Sequence, residues 1–189
     1  MSKQEQLLVV DSLNKPIGCK NGDEVQCLSM SRELIHELGL IHRAVLVLLS
    51  KSVDGIVYYL LQKRAEDKDL YPGCLTFTAS GHSLAELTEL ENAERETLEE
   101  VGVNLQLRRH SVIKVFQPGD RQFLTIFFGN LLPDQKIEID YEELASVEWH
   151  TREEIEALLK QEEEKGVNIF TPASRAAFLK IFAEAEVVN

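Results

Sequence analysis

The chain has 189 residues, 44% of them hydrophobic, which suffices for one domain with a proper core. Its net charge of −12 and pI near 4.9 argue against a general binder of nucleic acid or of an anionic membrane, which needs a basic patch. No apolar run approaches the ~20 residues that span a bilayer, and the N-terminal stretch Met1 to Gln6 lacks the charged and apolar regions of a signal peptide.

Taken in chain order, residues 6–11 and 16–20 flank a turn over Ser12 to Pro16 and read as an N-terminal hairpin. Residues 30–38 read as a short helix capped by Ser29 or Ser31. Arg43 to Ser50 and Ile56 to Arg64 are strands joined by a Val-Asp-Gly turn. A loop from Ala65 to Cys74 follows, then a short strand from Leu75 to Ala79. Leu105 to Phe116 and Gln122 to Leu131 pair around Pro118-Gly119-Asp120, and Ser146 to His150 is the last strand. Thr151 to Glu162 and Pro172 to Glu184 are amphipathic helices, the second with proline at its first position. Cys19, Cys27 and Cys74 are odd in number and lack C-x-x-C spacing, so free thiols in a reducing cytoplasm are expected.

The most informative stretch is 81–103. Thr88 can cap a helix whose first turn carries Glu89 and Glu91, and Gly102 can end it. Leu90, Ala93, Thr97 and Val101 recur at helical spacing and form a face for the core. Glu96, Glu99 and Glu100 lie at i, i+3 and i+4 and crowd onto another side. Like charges so placed cost roughly 0.2–0.5 kcal/mol per pair. A hard divalent cation such as magnesium or manganese reverses that cost, because it prefers carboxylate and phosphate oxygens. Arg95 can pair with Glu91 or Glu99 and orient a carboxylate. A bare E-x-x-E-E is usually just a solvated acidic face. Here Gly81, Arg95-Glu96 and Gly102 stand at fixed offsets around it, on a strand–loop–helix.

That constellation resembles the Nudix box, a loop–helix–loop that holds divalent metal against a diphosphate. Gly81, Arg95, Glu96, Glu99, Glu100, Gly102 and Val103 match the family's spacing. Leu87 stands where the family has its first glutamate, with Glu86 beside it, and Thr97 replaces a larger aliphatic residue. The resemblance implies a Nudix fold, an α/β/α sandwich with a mixed sheet. It implies one Nudix domain over 1–189, with 1–40 as hairpin and short helix, 41–150 as the core, and 151–189 as the C-terminal helices. Gly39-Leu40-Ile41-His42-Arg43 and Leu61-Gln62-Lys63-Arg64 with Lys68 and Tyr71-Pro72-Gly73 are similar to the isopentenyl diphosphate isomerase-like branch. So are Trp149 to Glu154 and Phe170-Thr171-Pro172.

The resemblance implies metal-dependent cleavage of a diphosphate bond, with magnesium or manganese on Glu96, Glu99 and Glu100. Arg64 and Lys68 then clamp phosphate, as a guanidinium fork and an ammonium point charge can. Gly81 and His82 belong to the substrate side, and Arg95 supports the carboxylates. The general base is Glu100 or Glu143. His36, His42 and His82 fall at or near the isomerases' histidine ligands, although a lone histidine is more often a hydrogen-bonded residue than a ligand. Asp120 lies near a further ligand position. Ser80 and Gln122 replace the isomerases' catalytic cysteine and glutamate, which disfavours that chemistry. A non-catalytic nucleotide-binding module is the alternative, with Leu87 as its best support. The expected partner is a small diphosphate compound, with neither nucleic acid nor membrane, and a homodimer is open.

Overall fold

The computed structural model describes residues 5–21, 24–67, 70–132, 135–139 and 144–186. The central strand is β5 (Ile41–Val53). Val45, Val47 and Leu49 face one side and Ala44, Leu46 and Leu48 the other, and all six are buried. A strand covered on both faces reads as a continuous apolar run, as this one does.

The remaining elements follow from their placement around it. The N-terminal strands are β1 (Gln6–Leu8), β2 (Gly18–Asn21), β3 (Glu24–Cys27) and β4 (Ser29–Ser31), followed by helix α1 (Arg32–Glu37). After β5 come β6 (Ile56–Arg64), β7 (Leu75–Thr76), β8 (Ala79–His82) and the long helix α2 (Glu89–Val101). Then come β9 (Arg108–Gln117), β10 (Asp120–Asn130), β11 (Leu144–His150), α3 (Arg152–Lys165) and α4 (Pro172–Glu186).

The main sheet runs β11-β6-β5-β10-β9, with β7 against β6 and β8 against β5. β5 and β10 are parallel and the other pairs antiparallel, so the sheet is mixed. Ala93 and Val101 of α2 join the core on the Val45 face. Ile155 and Leu159 of α3, with Ala177, Phe178 and Phe182 of α4, close the Leu46 face. Phe178 packs with Phe77 and Phe170 at centroid distances of 4.6 and 5.5 Å. Such pairs add about 0.5–1.5 kcal/mol each beyond the area they bury. The result is the expected α/β/α sandwich.

One edge of β5 changes partner. Its Leu49 to Val53 half pairs with β6, and its Ala44 to Val47 half pairs with β8. Thr78, fully buried, fills the split. Its hydroxyl accepts the Leu49 N–H at 2.8 Å and donates to the Leu60 carbonyl at 2.5 Å. Beyond this point β6 diverges from β8, and the gap becomes a cleft.

The N-terminal region differs from its expected pairing. Segments 6–11 and 16–20 share only the Val10–Pro16 bridge. β1 pairs instead with β4, and β2 with β3. The reason lies in burial: Leu7 and Val9 pack with Ile35 into a small core of their own. α2 is capped as expected, by Thr88 with a reciprocal bond from Glu91, and ends on Gly102 at φ 66°. Its face is shifted, however. Leu90 is exposed and Asn92 is buried. The Asn92 amide donates to the Leu84, Leu87 and Thr88 carbonyls and accepts the Leu84 N–H, so it staples the box loop to the helix.

Candidate active site

A cleft of about 600 Å³ opens where β6 and β8 diverge. Its lining includes Glu96, Glu99, Glu100 and Arg95 from α2, and Ser80, Gly81 and His82 from β8. Gln62 and Arg64 come from β6, and Asp120 and Gln122 from β10.

Gly81 explains itself by contact. Any Cβ there would land on the carboxylate of Glu96. The glycine thus lets Glu96 reach the sheet, where it is only 9% exposed. Burial pushes its pKa up to about 7, with Arg95 opposing the rise. The Arg95 guanidinium forks between two acids, donating to Glu96 Oε1 at 2.5 Å and to Glu99 Oε2 at 2.6 Å. Glu100 is held from the other side. Gln62 Nε2 donates to its Oε2 at 2.7 Å, and the Ser80 N–H to its Oε1 at 3.4 Å. Glu96, Glu99 and Glu100 therefore all line the cleft, but they are tied to Arg95 and Gln62 and not gathered as one ligand set. Gln62, which is 2% exposed, had no sequence signal beyond its strand parity.

The histidines do converge. Ligand atoms of His36, His42 and His82 all lie within 4.8 Å of one another. His36 Nδ1 faces the Gly119 carbonyl at 3.0 Å, and His42 Nδ1 the Leu40 carbonyl at 3.3 Å. A carbonyl only accepts, so each Nδ1 donates and each Nε2 is turned toward the cluster. Metal-binding histidines are commonly oriented in this way. His36 Nε2 lies 3.1 Å from His82 Nε2, and Gln122 Nε2 lies 3.5 Å from the same atom. His42 Nε2 and Asp120 Oδ1 are buried without hydrogen bonds, 3.8 Å apart. Burial keeps the pKa of His42 below its usual value and that of His82 well below. Three imidazoles, an acid and orphaned polar atoms make a donor set that fits a divalent cation. Residue by residue, each histidine read as an ordinary hydrogen-bonded side chain. The available signal was that His42 and His82 stand on two strands that meet here, with His36 in the helix just before the first of them.

Arg64 lines the cleft, and its Nε donates to the Leu70 carbonyl at 3.1 Å. Lys68 and Glu143 lie outside the described residues. Glu86 does not move into the place of the missing box glutamate: it is exposed and lines a separate shallow groove with Gln6 and Leu8. Leu87 is half-buried, and its carbonyl is taken by Asn92.

Residues 40–170 match the NUDIX domain family. The chain is 35% identical over 146 residues to a prenyl-diphosphate phosphatase of Methanosarcina mazei, covering 76% of this chain and 81% of that protein. It is 32% identical over 163 residues to the uncharacterised Nudix hydrolase YfcD of Escherichia coli, covering 84% and 83% of the two chains. A Deinococcus radiodurans crystal structure superposes with a TM-score of 0.62 at 20% identity, over 91% of this chain and 96% of that one. A C. elegans Ap4A hydrolase does so at 0.56 and 18%, over 76% and 97%. The chain belongs to the Nudix family and is a Nudix hydrolase. Among the described residues, no helix is long and apolar enough to cross a membrane.

Proposed function

We propose that this hydrolase cleaves the diphosphate of a prenyl, or similar aliphatic, diphosphate with the help of magnesium or manganese. The observation that carries the reading is the division of the cleft. Acids, histidines and Arg64 line one part; Ala44, Leu46, Val115 and Leu124 floor another. Among the described lining residues Tyr71 is the one aromatic ring apart from the histidines, so a nucleobase finds little to stack on. The Methanosarcina relative's name points the same way.

Glu96, Glu99 and Glu100 would hold a cation on one side of β8, and His36, His42, His82 and Asp120 would hold one on the other. The cation would neutralise phosphate charge and lower the pKa of a bound water. The chain's own groups do the rest. Arg64 holds phosphate oxygens and stabilises the charge that develops as the bond breaks. Arg95 and Gln62 fix the carboxylates. Glu100, which accepts from Gln62 and the Ser80 amide, would take a proton from water. The apolar floor removes the aliphatic group from solvent. The free thiols of Cys27 and Cys74 fit the proposed cytoplasmic setting.

The histidine cluster favours a second reading, an isomerase acting on the same diphosphates, against which Ser80 and Gln122 count. Both readings are tested by incubating the protein with isopentenyl, geranyl and nucleoside diphosphates, with either metal, in deuterated water. Released phosphate from the prenyl compounds, leaving the prenyl monophosphate, at a kcat/KM well above that for nucleotides, supports the hydrolase. Deuterium entering an isomerised product supports the isomerase. Binding without turnover returns the chain to a nucleotide- or diphosphate-binding module.

A further inference from the structure

Leu70 and Tyr71, between β6 and β7, line one wall of the cleft. Tyr71 stands there at φ 55°, in the left-handed region that an aromatic residue rarely enters. Such strain persists only where neighbours impose it. Three ties impose it here. The Cys74 N–H donates to the Tyr71 carbonyl at 3.3 Å. Arg64 Nε donates to the Leu70 carbonyl at 3.1 Å. The Tyr71 hydroxyl donates to Gln117 Oε1 at 2.6 Å.

The last tie has a particular geometry. Tyr71 follows β6, and Gln117 ends β9. In the sheet, β5 and β10 lie between those two strands. The bond therefore straps across the cleft from one wall to the other. Beneath it lies the apolar floor: Ala44 and Leu46 from β5, Leu124 from β10 and Val115 from β9. Leu70, beside Tyr71, also faces the cleft. Burial, with Asp120 adding to it, holds the phenol's pKa above its usual value, so the donor keeps its proton at neutral pH.

We infer that Tyr71, strapped to Gln117, is a specificity-determining residue that walls the apolar end of the cleft and sets the length of the aliphatic group admitted behind the diphosphate. This rests on the reading of the site as an aliphatic-diphosphate hydrolase. A purely structural strap would lower turnover of every substrate alike. A length gate changes the ratio between long and short substrates, because each methylene admitted or refused shifts kcat/KM by roughly 10–200-fold.

The test compares kcat/KM for prenyl diphosphates of one, two, three and four isoprene units, using the full chain with metal. Wild type, Tyr71→Ala and Gln117→Ala are assayed together. Tyr71→Ala is expected to raise the long-to-short ratio by about tenfold or more. Gln117→Ala leaves the ring but frees it, and is expected to move the ratio in the same direction by less. If Tyr71→Ala does not fold, Gln117→Ala decides alone. A uniform loss at all lengths, or an unchanged ratio, overturns the gate while leaving the hydrolase reading intact. A wild type that cleaves none of the four overturns that reading first, and the gate with it.

Discussion

At the scale of single residues, two positions concentrate the chemistry. Gly81 is needed for space, not for backbone freedom, since its absent Cβ is where the Glu96 carboxylate lies. Gly81→Ala is therefore expected to push Glu96 out of the cleft. Hydrolytic turnover should fall by at least tenfold, and stability by about 1–3 kcal/mol, the usual range for overpacking. Steady-state kinetics beside denaturant unfolding would show both, and unchanged turnover would count against a role for Glu96. His42 is the second position. Its Nε2 is buried without a hydrogen bond, 3.8 Å from Asp120 Oδ1. His42→Ala should weaken manganese binding by more than the 10–100-fold typical of losing an outer-shell partner. Calorimetric titration reads this directly, and equal affinities would remove the histidines from the cation site. The box residues were legible in the sequence because their spacing is rigid along one helix. The histidine cluster was legible only through the family resemblance, because its members come from three separate elements whose meeting depends on the β5–β8 register.

At the scale of elements, the most exposed weakness is the split in β5. Thr78 replaces two missing ladder bonds with one hydroxyl. Thr78→Val keeps the shape but orphans the Leu49 N–H and the Leu60 carbonyl. A buried unpaired group costs about 1–3 kcal/mol, so the variant's urea midpoint should fall accordingly. A midpoint equal to wild type would mean that the backbone pairs elsewhere. Helix α3 offers a pH test. Glu162 is buried near its end, 3.9 Å from Arg175. Burial raises its pKa, and Arg175 opposes the rise only in part. A raised folded pKa means that the folded state holds the proton more tightly than the unfolded chain. Its contribution to stability is then complete below the unfolded value, near 4.5, and is lost as pH rises through the folded value. Glu162→Gln removes this dependence. Relative to wild type, the variant should gain stability as pH rises above about 4.5, and parallel pH profiles of the two proteins would contradict the burial argument.

Helices capped by Thr88 and Thr151 lie where their caps and periodicity put them, because those signals are local. Two features escaped local reading. Leu90 fits the apolar period but sits in the first turn of α2, where the loop staple at Asn92 takes the buried position. β1 pairs with β4, more than twenty residues away, and nothing in either short segment specifies that partner.

At the scale of the molecule, one geometric fact organises the rest. The sheet is buried on both faces, and β8 stands at its split with acids behind it and histidines in front. A cation near β8 would thus be approached from both sides, and in the proposed reading a diphosphate there would have Arg64 beside it and an apolar floor beyond. The order of layers was readable from alternating strands and helices. The division of the cleft was not, since Ala44, Leu46, Val115 and Leu124 look like ordinary core residues until the strands are assembled. The most direct measurement is the release of phosphate from geranyl diphosphate with magnesium or manganese, comparing wild type with Glu96→Gln/Glu100→Gln. Metal-dependent release that drops at least a hundredfold in the double variant, by roughly 2.7 kcal/mol of barrier, is the predicted result. No release by wild type, or equal release by the double variant, would contradict the assignment of hydrolysis to this cleft.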